Sequence, residues 1–140
     1  MPALTALYNT IKGTPLLTDA LATYDNGQNG VALFIGEVPK DSRLPAISLI
    51  QSGANSQDTT RGFRGGHCYV TLRLWGDKTH SSKSLRKTAM DIWDSLDRAC
   101  LEGDANFDIQ GCYCTIPVYI EDSEGYGGFL LNVDLSIIEK

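Results

Sequence analysis

Hydrophobic and polar positions alternate from Cys68 to Trp75, placing Val70, Leu72 and Leu74 on one face of a predicted strand and Tyr69, Thr71, Arg73 and Trp75 on the other. After Gly76 and a short polar gap the period changes. Leu85, Ala89, Ile92, Trp93, Leu96 and Cys100 recur at helical spacing, which predicts a long amphipathic helix from Ser81 or Ser82 to about Leu101, with Gly103 in the left-handed position beyond it. Lys83, Lys87, Asp91, Asp94 and Arg98 fall on its polar side, Asp94 and Arg98 at i, i+4 spacing.

Upstream, Leu4, Leu7, Tyr8 and Ile11 make a short helical stripe that stops at Gly13. Thr14 and Pro15 then supply an N-cap and a first-turn proline for a second stripe of Leu17, Ala20, Leu21 and Tyr24, ended by Asp25-Asn26-Gly27. Both are shorter than the ~12 to 15 residues at which an isolated helix becomes marginal in water, so they depend on tertiary packing. Val31 to Val38 reads as a strand closed by Pro39, and Pro45 opens another from Ala46 to Ser52. The stretch Gly53 to Gly66 has no apolar period and Phe63 as its only large hydrophobe. It reads as a long exposed hairpin loop, either an arm that makes contacts or a disordered segment. Two more strands follow: Ile109 to Ile120, interrupted by Pro117, and Phe129 to Ile138. In the last, Leu131, Val133, Leu135 and Ile137 face inward and Asn132, Asp134 and Ser136 outward, after an acidic hairpin loop from Glu121 to Gly128. The expected fold class is α+β: a mostly antiparallel sheet of about five strands, one long helix packed on it, and two short N-terminal helices, in one domain spanning residues 1–140.

Composition narrows the function. At 140 residues and 42% hydrophobic, the chain can bury roughly 68 to 70% of its unfolded surface without covalent staples. No apolar run approaches the ~20 residues that span a bilayer, and the first residues lack the basic start and apolar block of a signal peptide, which predicts a protein made and used in the cytosol with no membrane partner. The net charge of −5 hides an asymmetry: residues 102–140 carry eight acids and one base, whereas the rest carries nine acids and eleven bases. An acidic protein is a poor candidate for tight non-specific nucleic-acid binding, which depends on cations neutralising phosphates. The basic positions instead cluster as Lys78, Lys83, Arg86 and Lys87 around the start of the long helix, against its dipole, where each misplaced charge costs ~0.3 to 1 kcal/mol at low salt. The hypothesis is that this cluster meets the acidic C-terminal part of a neighbouring copy.

The sequence carries no phosphate-binding loop, nucleophile elbow or His-Glu-x-x-His metal helix. Cys68, Cys100, Cys112 and Cys114 have neither zinc-ribbon nor Cys-x-x-Cys spacing and read as reduced and structural, Cys112 and Cys114 sharing a strand face. His67 and His80 have no partner at ligand spacing and read as solvated or hydrogen-bonded. Asp122 and Glu124 lie in a glycine-rich turn that cannot hold two carboxylates at a fixed separation. Arg61-Gly62-Phe63-Arg64-Gly65-Gly66 is a single copy of an arginine-glycine pattern that stacks on bases elsewhere. No catalytic residue, cofactor or metal is expected.

The order of elements carries a resemblance. Ala6-Leu7-Tyr8 in the paired short helices is followed by a strand ending in Glu37-Val38-Pro39 and by a proline-led strand at Pro45. Then come a strand ending in Leu72-Arg73-Leu74-Trp75, a long helix, and a final strand with Val133-Asp134-Leu135. This resembles the tail-terminator, or tail-completion, proteins of long-tailed bacteriophages and related gene transfer particles. The resemblance implies a virion protein of the tail and neck, assembled in the host cytoplasm, whose copies close into a hexameric ring. That ring ends tail elongation at the head-proximal end of the tube and joins tail to head, touching the tail tube protein below and the head connector or stopper above. DNA passes through its channel without specific binding. The candidate interface residues are Arg61, Phe63, Arg64, Lys78, Lys83, Arg86, Lys87, Asp122, Glu124 and Tyr126. The Gly53 to Gly66 stretch and the cysteines depart from the family pattern. Alternatives are a head-completion or connector-stopper ring, a small ligand-binding or enzymatic α+β domain, and a nucleic-acid module.

Overall fold

A computed structural model of the protein describes residues 2–24, 30–39, 42–58, 64–76, 82–103, 107–121 and 126–139. In chain order these form α1 (Pro2–Lys12), α2 (Pro15–Thr18), β1 (Thr23–Tyr24), β2 (Gly30–Val31), β3 (Leu33–Ile35) and β4 (Ala46–Asp58). They continue with β5 (Arg64–Trp75), α3 (Ser82–Leu96), β6 (Phe107–Cys114), β7 (Val118–Glu121) and β8 (Gly127–Glu139).

The expectation of a mostly antiparallel five-stranded sheet under one long helix is corrected. The main sheet has six strands, in the order β3-β4-β5-β8-β6, with β7 also on β8. It is mixed, because β3 runs parallel to β4 while the other pairs are antiparallel. The run read as one strand from Val31 to Val38 divides at Ala32. Its first part pairs as β2 with β1 in a separate two-stranded ribbon, and its second becomes β3. Ala32 itself is held between them, its N–H donating to the Ala22 carbonyl and its own carbonyl accepting from Ile47, both at 2.9 Å. No single helix covers the sheet: α1 lies against β3 and β4, α2 against α1 and α3, and α3 against β6 and β8.

The apolar alternation explains why one face is covered. Ile47 and Leu49 of β4, Val70, Leu72 and Leu74 of β5, and Leu131, Val133 and Leu135 of β8 are buried together with Leu7, Ile11 and Leu17. Leu85, Ala89, Ile92 and Leu96 of α3 close the same core, and each fully buried aliphatic side chain contributes ~1.5 to 3 kcal/mol as an upper bound. A second, smaller cluster of Ala32, Phe34 and Ala46, with Ala22, Tyr24, Val38 and Leu44 against it, occupies the opposite face at the β3–β4 edge. There the edge-to-face contact of Tyr24 with Phe34, centroids 5.0 Å apart, ties the ribbon down.

Three boundaries differ from the sequence reading. α2 has four residues and does not reach Tyr24; Thr14 has the extended N-cap backbone but donates its hydroxyl to the Thr10 carbonyl at 2.7 Å instead of capping. α3 ends at Leu96, five residues early, because Arg98 turns left-handed (φ 60°) and its N–H leaves the helix for the Cys112 carbonyl at 2.7 Å. Arg98 thus stands outside the helical spacing expected to pair it with Asp94; among the described residues of α3 an i, i+4 pair forms between Lys87 and Asp91, at 3.0 Å. Finally, the stretch from Gly53 to Gly66 is largely strand. β4 runs to Asp58 and β5 begins at Arg64, paired in register past a bulge between Gln51 and Gly53. Residues 59–63 lie outside the described residues.

Candidate interface on the open face of the sheet

Helices cover one face of the sheet, so the other face is built from the outward members of each strand. Register then decides which of them meet. Tyr69 of β5 pairs with Asp134 of β8, and Asp134 pairs on its other side with Tyr113 of β6, giving a row of two phenol rings with a carboxylate between them. Strand spacing places the outer two backbones roughly 10 Å apart. Two bulges flank this row, at Gln51/Gly53 on β4 and at Ile109/Gly111 on β6. The first lets Ser52 donate its hydroxyl to the Tyr69 carbonyl at 3.2 Å. At the second, Gly111 leaves room for the Tyr113 ring, which a Cβ there would meet at 3.0 Å. Bulges bend strands and re-aim side chains, and here they border a shallow, open depression of about 360 Å³ whose lining includes Ser52, Tyr69, Tyr113, Thr115, Asn132 and Asp134.

The electrostatics of the row come from Asp134 and His67. His67 Nδ1 lies 2.8 Å from Asp134 Oδ1, with the two side chains 32% and 37% exposed, and the imidazole stacks on Tyr69 with 9° between the rings. This agrees with the reading of His67 as hydrogen-bonded; His80 lies outside the described residues. Further along the open face the Arg73 guanidinium sits 3.4 Å over the Trp75 ring, and Trp75 Nε1–H donates to the buried Ser48 hydroxyl at 3.0 Å. The face carries a cation on an indole at one end and a carboxylate between phenols at the other. Beyond it, the turn and edge strand after β6 expose Ile116, Val118 and Tyr119.

The edge of β6 is closed by the end of α3. Besides the Arg98 bond to Cys112, Asp97 Oδ1 accepts the Cys114 N–H at 3.0 Å and Trp93 Nε1–H donates to the Cys114 carbonyl at 3.2 Å. An open strand edge is a template for unwanted pairing, and three bonds from the helix end occupy this one. The four cysteines are free thiols. The hydrogen bond with Cys112 and burial push the Cys114 thiol well up, and burial pushes Cys68 up, so both are held as inert, protonated thiols.

Of the residues singled out from sequence, Lys83, Arg86 and Lys87 are exposed on α3, on the far side of the molecule from the Tyr69–Asp134–Tyr113 row. Tyr126 is exposed just before β8, and Arg64 starts β5. Arg61, Phe63, Lys78, Asp122 and Glu124 lie outside the described residues. Sequence reasoning misses the row itself. Tyr69 and Asp134 are legible as outward positions, but only the β5–β8–β6 register places Tyr113 beside them.

No family model matches the chain, and no curated protein matches it. Among solved structures, a chain of the virion of a native gene transfer agent particle superposes with a TM-score of 0.65. The match covers 97% of this chain and 91% of that one, at 14% sequence identity. The two chains share a fold. Coverage near the full length of both means that the likeness includes the mixed sheet, the helical layer and the edge strands together. At this identity the likeness shows the fold alone.

Proposed function

We propose that the protein is a structural component of a phage-like particle and performs no catalysis. In this reading its copies form a ring, hexameric as in the tail-terminator proteins it resembles, at the head-proximal end of the tail tube. The ring ends tube elongation and meets the tail tube protein on one side and the head connector or stopper on the other, with DNA passing through its channel without specific binding. The observation that carries the reading is the match to a virion chain over nearly the full length of both chains.

The surface chemistry supports it. A ring is built from heterologous contacts, in which one patch on each copy meets a different patch on the next. Here a helix face with exposed Lys83, Arg86 and Lys87 lies on one side of the sheet, and an open sheet face with the Asp134 carboxylate between two phenols on the other. Electron microscopy of particles produced without this protein tests the assignment. Tails of uncontrolled length, or finished tails not joined to heads, are expected; normal-length, head-joined tails in its absence would refute termination and joining.

A further inference from the structure

We propose that the Tyr69–Asp134–Tyr113 row receives the Arg86 guanidinium of a second copy of this chain. The inference rests on the ring reading and names the contact between neighbours. Asp134 is 37% exposed and meets His67 through one oxygen, whereas a carboxylate has about four acceptor positions, enough for a guanidinium as well. Tyr113, beside Asp134 in the register, is exposed, and an aromatic ring attracts a cation to its face. The depression in front of the row, about 360 Å³ and open to solvent, admits a planar group on a flexible stem.

The occupant follows from charge. Lys83, Arg86 and Lys87 stand exposed in the first turns of α3, where the helix dipole disfavours cations. Lys87 is held by Asp91 of its own helix at 3.0 Å. Arg86, on the preceding position, carries the group that fits: its planar fork grips a carboxylate through two parallel hydrogen bonds and stacks on aromatic rings, which an ammonium cannot do. Asp134 is the one acid among the described residues that line the depression, so it is the group an incoming cation would meet. Because α3 and the open face lie on opposite sides of the sheet, one copy cannot satisfy itself and a pair cannot satisfy both patches symmetrically. The contact is therefore head-to-tail, and closes into a ring or continues.

Sedimentation of the full-length protein across concentration and salt tests this, with circular dichroism confirming that each variant is folded. Arg86→Glu and Asp134→Arg should each weaken self-association by roughly tenfold or more, and the chain carrying both changes should recover to within a few-fold of the original. Asp134→Asn keeps the acceptor for His67 and removes the charge, so it should weaken association even if Asp134→Arg fails to fold. Arg86→Lys should fall between the original and Arg86→Glu. Single variants that assemble like the original protein, or a double variant no better than either single one, overturn the contact while leaving the ring reading standing. An original protein that stays monomeric at every concentration overturns both.

Discussion

Asp97 gives the sharpest test of how this fold is held together. At the end of α3 its charge opposes the helix dipole, an arrangement that costs ~0.3 to 1 kcal/mol at an exposed site. The structure supplies the compensation, since Oδ1 accepts the Cys114 N–H at 3.0 Å on the outer edge of β6. A hydrogen bond to a charged group contributes ~1.5 to 3 kcal/mol, and the half-buried site limits replacement by water. Asp97→Ala therefore loses the hydrogen bond and relieves only the weaker dipole repulsion, a net destabilisation of about 0.5 to 2.7 kcal/mol. For a domain of this size that is roughly a 2 to 11 °C fall in Tm. Asp97→Asn keeps an acceptor and loses the unfavourable charge, so it should stay within about 1 kcal/mol of the original. Urea unfolding with an unchanged m value measures the energies, and hydrogen exchange at the Cys114 amide reports the bond itself. An Asp97→Ala protein as stable as the original, with the Cys114 amide equally protected, would show that the clasp holds nothing.

Three further outcomes follow from the packing. Ile92 is fully buried between α3 and the sheet, so Ile92→Asp should abolish the cooperative melt, and an unchanged Tm would contradict the assigned helix face. Ser48→Ala strands the Trp75 Nε1–H beside a buried site and should cost about 1 to 3 kcal/mol in urea unfolding; a change under half of that would mean the indole finds another acceptor. Burial pushes the Cys68 thiol above its ordinary value of 9.0, so the folded chain keeps that proton at pH values where the unfolded chain releases it. Its stabilising contribution is complete below about pH 9 and is lost as pH rises toward the folded value, and a Cys68→Ala protein should show a shallower loss of stability on that alkaline side. Equal alkaline slopes for the two proteins would remove Cys68 as the cause.

The sequence alone determined the faces. Val70, Leu72 and Leu74, the inward series from Leu131 to Leu135, and the helical stripe of Leu85, Ala89, Ile92 and Leu96 were all legible, because burial of one face imposes a period of two or 3.6 on the residues themselves. Tertiary structure decided what periodicity does not encode. Backbone pairing carries β4 and β5 through a polar stretch with no apolar rhythm, since ladder hydrogen bonds and the neighbouring β8 support it there. Parallel pairing of β3 with β4, the division of one apolar run at Ala32, and the early end of α3 at a left-handed Arg98 all depend on partners distant in sequence. The Tyr69–Asp134–Tyr113 row has the same origin. Each residue points outward because of its own strand, but which three stand side by side is set by the register between strands, and register is a property of the whole sheet.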